Sequence, residues 1–306
     1  MRVATIDIGT NSVLLLIAEA SDGRIEPVVE RSTITRLGQD VDRTRSLHPD
    51  AVDRTLACLR DYATMLQQHP VDRLAVVATS ASRDAKGAEH FVRQAESILG
   101  AAPQVISGQR EALLTFSGAL SGLPIDGPVA VQDVGGGSTE IVVGALQKGH
   151  PQVFSAVSID VGSVRMTERF LRSDPPTQEQ MDAVRAHVRE ELQRAPKVQA
   201  GVQWVGIAGT ITTLAAIAIE VAPYDPKRIH GAALSIEQID RLIERLASMP
   251  LEQRRALRGL EPKRADVIVG GALVVREVLA SGAAGSMMVS DRGVRWGLAL
   301  ELARAP

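Results

Sequence analysis

The sequence has a single cysteine, Cys58, so it can form no intrachain disulfide and build no cysteine-based zinc site. Aromatic residues are only 3% of the chain and the formal net charge is −2, so it lacks the positive excess and stacking platforms of a dedicated nucleic-acid binder. No apolar run is long enough to span a bilayer, no tract is of low complexity, and Met1 leads into strand-like sequence without a signal peptide. These absences predict a reducing, cytoplasmic location with neither a membrane nor a nucleic acid as partner. Two catalytic signatures are missing as well. The six histidines show no HExxH spacing, and there is no GxxxxGK[ST] loop, which argues against a zincin and a standard P-loop NTPase.

What is present is a chain of 306 residues, 45% hydrophobic, with enough apolar material for two domains. It carries one device twice. Val3 to Ile8 reads as a buried strand, Gly9-Thr10-Asn11-Ser12 as a tight turn and Val13 to Ala20 as a second strand. Asp22-Gly23 is a hairpin signal leading to a third strand over Arg24 to Ser32. From Pro128 the pattern returns: Val129 to Val134, the turn Gly135 to Thr139, Glu140 to Ala145, then Gln152 to Ser158. Asp7-Ile8-Gly9-Thr10-Asn11-Ser12 aligns with Asp133-Val134-Gly135-Gly136-Gly137-Ser138, which predicts two related domains rather than a solenoid. Between and after the meanders come helix and single-strand signals, among them a helix from Pro49, a strand over Leu74 to Thr79 and another over Gln203 to Ala208. Thr177 with Gln180 and Ser235 with Gln238 have capping-box spacing. The Gly/Pro-rich stretch from Gly122 to Pro128 places the domain boundary near residue 126, giving lobes 1–126 and 127–306.

The turns suggest phosphate chemistry. Glycines between strands, with hydroxyls beside them, let backbone N–H groups approach phosphate oxygens without a Cβ in the way. Gly135, Gly136, Gly137, Ser138 and Thr139 fit that description. Asp133 and Glu140, on either side, would repel phosphate directly and so suit a divalent ion held against it. A third strand end, Gly209-Thr210, opens a helix-like stretch whose N-terminus could face an anion. Arg83 follows another strand end, where a phosphate clamp and an ordinary surface arginine are equally open readings. Glu111 falls in the first turn of a helix after Ser107-Gly108, and from spacing alone it answers the helix dipole.

Together these segments resemble the exopolyphosphatase/guanosine pentaphosphate phosphatase family. The resemblance rests on Asp7 to Ser12, Ile106-Ser107-Gly108 with Glu111-Ala112, and Asp133 to Glu140, in order and spacing. It continues through Gly206 to Thr210, His230-Gly231, Arg264-Ala265-Asp266 and Ser290 to Gly297, so it spans essentially the whole chain. It implies an α/β fold of two actin-like (ribonuclease H-like) lobes, each a mixed sheet flanked by helices, with an interlobe cleft. It also implies that Glu111 is the general base for water. Asp133, Glu140 and Asp7 become the positions for Mg²⁺ or Mn²⁺; Gly135 to Thr139 become the phosphate loop; Asn11, Ser12 and Arg83 become further phosphate contacts.

The substrate implied is inorganic polyphosphate. Guanosine pentaphosphate is the alternative within the family, and ADP could bind near Gly209 and Thr210. A non-catalytic phosphate sensor is the alternative of another class. The family further suggests a homodimer, and the last helix could pack back on the first lobe. The chain departs from many relatives at Arg110, where they carry a second acid, which leaves two roles open for this arginine: depressing the acidity constant of Glu111, or touching the phosphate chain. Long relatives also carry C-terminal domains with a basic passage, so short to medium chains are expected here.

Overall fold

The computed structural model describes residues 1–21, 24–147 and 150–304. The hairpin turn expected at Asp22-Gly23 lies outside them. The chain divides into two compact units, one formed by Met1–Gly118 with Val294–Pro306 and the other by Ala119–Gly293. The sequence expectation ran the first lobe to residue 126 and let the last helix pack back on it, so the two divisions differ over 119–126, while the last helix joins the first unit. The physical reason for the latter is a cluster in which Trp296 and Ala299, from the helix Val294–Arg304, pack on Val3, Leu16 and Ala18.

In the first unit β1 (Arg2–Ile8), β2 (Ser12–Ser21), β3 (Arg24–Ile34), β4 (Arg73–Ala78) and β5 (Gln104–Val105) form a sheet in the order β3-β2-β1-β4-β5. β1 pairs antiparallel with β2 and parallel with β4, so the sheet is mixed. Successive residues of a strand point to opposite faces, and β1 is apolar almost throughout because both faces are covered. Ala4, Ile6 and Ile8 join Leu15 and Ile17 against Leu56, Leu59 and Tyr62 of the helix Pro49–Gln68 and Phe91 of the helix Ala88–Leu99. Val3 and Thr5 face the C-terminal helix, where the Thr5 hydroxyl donates to the Arg295 carbonyl at 2.9 Å.

The second unit repeats the plan. β6 (Gly127–Val134), β7 (Thr139–Gln147), β8 (His150–Ile159), β9 (Gln203–Ile207), β10 (Ala233–Ser235) and β11 (Ser286–Val289) run in the order β10-β11-β9-β6-β7-β8. The correspondence reaches single residues. Asp7 pairs with Leu14 and Val77, while Asp133 pairs with Glu140 and Ile207. β3 carries an extra residue, Val28, opposite the Ile17–Ala18 step of β2, and β8 carries one, Phe154, opposite the Val143–Gly144 step of β7, at the same offset along the chain. A bulge sets local bend and twist, so both meanders curl at the same place.

Helices cover this sheet as well. The helix Ile268–Ser281 is buried almost all round and packs with the helices Gln178–Glu191 and Ile236–Ala247. The latter begins with a complete capping box, the Ser235 hydroxyl accepting from Gln238 N and the Gln238 side chain accepting from Ser235 N. At Thr177 only half the box forms, because the Gln180 side chain accepts from Ser173 instead.

Candidate active site

The two aligned turns have the same internal hydrogen bond. Gly9 N donates to Ser12 O and Gly135 N to Ser138 O, each at 3.0 Å. In the second unit the turn carbonyls are occupied as well: Gly135 O accepts from Ser163 N, and Gly136 O from Val164 N and Arg165 N, all in the first turn of the helix Ser163–Phe170. The N–H groups of Gly136, Gly137 and Ser138 find no acceptor among the described residues. A turn whose carbonyls are tied back and whose amides are left over suits an anion. Asn11 and Ser12 sit at the matching place in the first unit, half-buried, with Asn11 O accepting from Thr35 N and Arg36 N.

Thr139 is a correction to the sequence reading. Its side chain is fully buried and its hydroxyl donates to Val161 O at 2.6 Å, so it braces the turn from behind instead of facing phosphate. The cause is period-two alternation: Thr139 opens β7 on the opposite face from Glu140.

Asp133, half-buried, and Glu140, buried, are register partners on neighbouring strands and therefore share a face. Ser158, the partner of Glu140 on β8, donates its hydroxyl to Glu140 Oε1 at 2.7 Å. In the first unit Asp7 occupies the position of Asp133, with Leu14 where Glu140 would stand. Asp7 is buried beside Arg295; burial pushes its carboxyl up from about 3.8 to about 7, against the pull of that guanidinium. Its Oδ1 atom has no hydrogen-bond partner among the described residues. The donors in both places are hard oxygens, as a magnesium ion requires; such an ion takes one or two carboxylates and completes its shell with phosphate and water. No group of three or more His, Cys, Asp or Glu side chains placed to hold a metal is found among the described residues.

Glu111 stands in the first turn of the helix Gly108–Leu120, with its N–H donating to Ser107 O. Arg83 lies in the last turn of the short helix Ser80–Asp84 and directs Nη1 at both Ile106 O, 3.0 Å away, and Glu111 Oε2, 3.3 Å away. The expected phosphate clamp is thus engaged with the expected base. The Arg110 guanidinium forms a two-pronged pair with Glu301 of the C-terminal helix.

Gly209 and Thr210 lie in the first turn of the helix Ala208–Ala218. The Arg264 guanidinium lies directly against the Gly209 Cα, where a Cβ would stand 1.9 Å from Nη1. The Thr210 side chain turns toward Gly271 and is buried. Ala208, between strand and helix, has φ 70, a strained left-handed value for alanine.

With this geometry in view the comparisons are decisive. Residues 16–305 match the Ppx/GppA phosphatase family. The chain belongs to that family. It is 41% identical over 319 residues to exopolyphosphatase 2 of Mycobacterium tuberculosis, covering 99% of this chain and 98% of the relative. Among solved structures it resembles an exopolyphosphatase-like protein with TM-score 0.92 and 38% identity, covering 99% and 98% of the two chains. The Ppx/GppA family member of Aquifex aeolicus superposes with TM-score 0.85 at 36% identity, again covering 99% and 98%. The two mixed, helix-flanked sheets are the actin-like arrangement that the sequence resemblance implied for the family.

Residues that sequence reasoning gave no role include Gly162, Ser158, Arg264 and Gly38. Glycine and serine after a strand read as ordinary loop chemistry, and only tertiary contact distinguishes them. Arg295 was visible within Ser290 to Gly297, but its partner Glu30 lies at the other end of the chain.

Proposed function

We propose that this phosphatase is an exopolyphosphatase that removes the terminal phosphate of short to medium inorganic polyphosphate by attack of water. The observation that carries the reading is the Gly135–Ser138 turn: three unclaimed amides beside two same-face carboxylates, Asp133 and Glu140. The amides of Gly136, Gly137 and Ser138 bind oxygens of the terminal phosphoryl group and stabilise the charge that develops on them during transfer. Glu111 accepts the proton of the attacking water, and Arg83 fixes the direction of its carboxylate. Asp133 and Glu140 in the second unit, and Asp7 at the matching position of the first, are the carboxylates that would hold Mg²⁺, and the ion would supply neutralisation of phosphate charge. Ser158 keeps the Glu140 carboxylate in place through its hydroxyl.

The net charge of −2 supports the limit on length, since a long polyanion held at many units needs an extended positive track. The test is phosphate release from polyphosphate of defined length, guanosine pentaphosphate and ATP, each with and without Mg²⁺. Metal-dependent release from polyphosphate above the other two is expected. Release from guanosine pentaphosphate alone would move the assignment to that substrate, and binding without release would make the chain a sensor.

A further inference from the structure

The helix that follows β8 approaches the phosphate turn more closely than packing requires. Gly162, its N-cap, has no room for a side chain: a Cβ there would stand 2.5 Å from Gly136 O, 2.6 Å from Gly136 C and 2.7 Å from Gly137 N. All three are backbone atoms of the turn, so no rotamer change can relieve the clash. Next to Gly162, Val161 O takes the Thr139 hydroxyl, and the next three N–H groups are the ones that hold Gly135 O and Gly136 O. The first unit repeats the device with other residues. Gly38 N donates to Thr10 O at 2.9 Å, and a Cβ on Gly38 would lie 2.2 Å from Thr10 Cγ2. Thr10 is the counterpart of Gly136 in the aligned turns, so each unit sets a glycine against the same turn position.

A peptide unit turns its carbonyl and its N–H in opposite directions. Holding the carbonyls of Gly135 and Gly136 toward the helix therefore fixes the N–H groups that follow them on the other side. Without that hold, a glycine turn could flip a peptide and present a carbonyl oxygen to the substrate, at little steric cost. We propose that Gly162 and the helix start behind it are positioning residues that lock the Gly135–Ser138 turn with its amides outward, and that Gly38 does the same for the turn Gly9–Ser12. The proposal rests on the reading of Gly135–Ser138 as the phosphate loop.

The test compares Gly162→Ala, Ser163→Pro and Gly285→Ala in the full chain. Ser163 is the first helical residue after the N-cap, where proline is tolerated. The preceding Gly162 is already extended at φ −160, as a residue before proline should be. Ser163→Pro therefore removes both bonds to Gly135 O and, with its ring Cδ where the N–H now points, pushes that carbonyl away from the helix, while costing the helix none of its own bonds. Gly285 has nothing within 4 Å of the place a Cβ would take and serves as the silent control.

The readouts are tripolyphosphate affinity by calorimetry, kcat and KM separately, thermal midpoint, and the ¹⁵N–¹H shifts of Gly136, Gly137 and Ser138. Both loop variants should bind tripolyphosphate about 10- to 100-fold more weakly, the scale of one charge-assisted hydrogen bond lost. They should also move the Gly136 and Gly137 amide signals in the free protein, the two N–H groups in the peptide units whose carbonyls the helix holds. Shifts and affinity within twofold of the parent in Ser163→Pro would overturn the inference, whether or not Gly162→Ala folds. A parent that binds no tripolyphosphate would overturn the phosphate-loop reading instead, while the amide shifts still decide whether the helix sets the turn.

Discussion

Arg83 Nη1 lies 3.3 Å from Glu111 Oε2, a cation and the proposed base joined across the ends of two helices. Neither side chain is far into solvent, with exposures of 31% and 14%. Glu111→Gln preserves this geometry and removes the proton acceptor. Turnover should fall by about two to four orders of magnitude while tripolyphosphate affinity stays within a few-fold. Single-turnover phosphate release together with calorimetry checks both halves, and a variant retaining half the parent's rate would remove Glu111 from the mechanism.

Arg83→Lys should be damaging despite the kept charge, because an ammonium cannot reach Ile106 O and Glu111 with the planar fork of a guanidinium. The loss is expected mainly in kcat, on the order of tenfold or more for a base that has lost its direction. A change confined to KM would instead make Arg83 a simple phosphate contact.

Asp133→Asn should raise the Mg²⁺ concentration needed for half-maximal rate and lower the maximal rate, since a neutral amide is a poor substitute for a hard anionic ligand. Ser158→Ala should produce a weaker form of the same change by loosening Glu140. Magnesium titrations of the initial rate decide it; an unshifted titration in Asp133→Asn would leave Asp133 a residue of the turn alone.

Asp7 gives a pH dependence whose sign follows from burial. Its folded-state carboxyl titrates near 7, against an ordinary value near 3.8. Between those values the folded protein keeps a proton that the unfolded chain has released, so its contribution to stability falls as pH rises through this window. The full cost is present above pH 7. About three pH units correspond to about 4 kcal/mol at most. In EDTA, Asp7→Asn should therefore melt higher than the parent at pH 8, with the gap closing toward pH 4. Thermal melts across that range check the direction, and a variant less stable than its parent at pH 8 would contradict it.

Products from polyphosphate of defined length should include intermediates shortened by a few units, because the chain is released often. Gel analysis of time courses tests this. A rate rising steeply with length, with no intermediates, would show an extended track that the charge of the chain does not suggest.

The meanders and the aligned turns were readable in the sequence because strand alternation and glycine placement are local signals. The matched bulges were not, since a bulge is visible only against a partner strand. Glu111 was placed correctly in the first turn of its helix, but the partner that holds it could not be read from spacing. Arg110 shows the same limit: its partner Glu301 lies 191 residues away in the chain, beyond the reach of any local signal. Thr139 was misread because a hydroxyl in a glycine turn suggests a ligand contact, whereas its face of β7 points inward.

The helix Val294–Arg304 has a consequence for synthesis. The second unit is continuous in the chain, but the first is closed by residues made after the whole of the second unit. Until Trp296 and Ala299 arrive, Val3, Leu16 and Ala18 have no cover on that side, and the Arg295 partner of Glu30 is absent. A released chain ending at Gly293 should thus carry a protease-resistant second unit and a first unit with one open sheet face, a target for chaperones, as pulse proteolysis of that shortened chain would reveal.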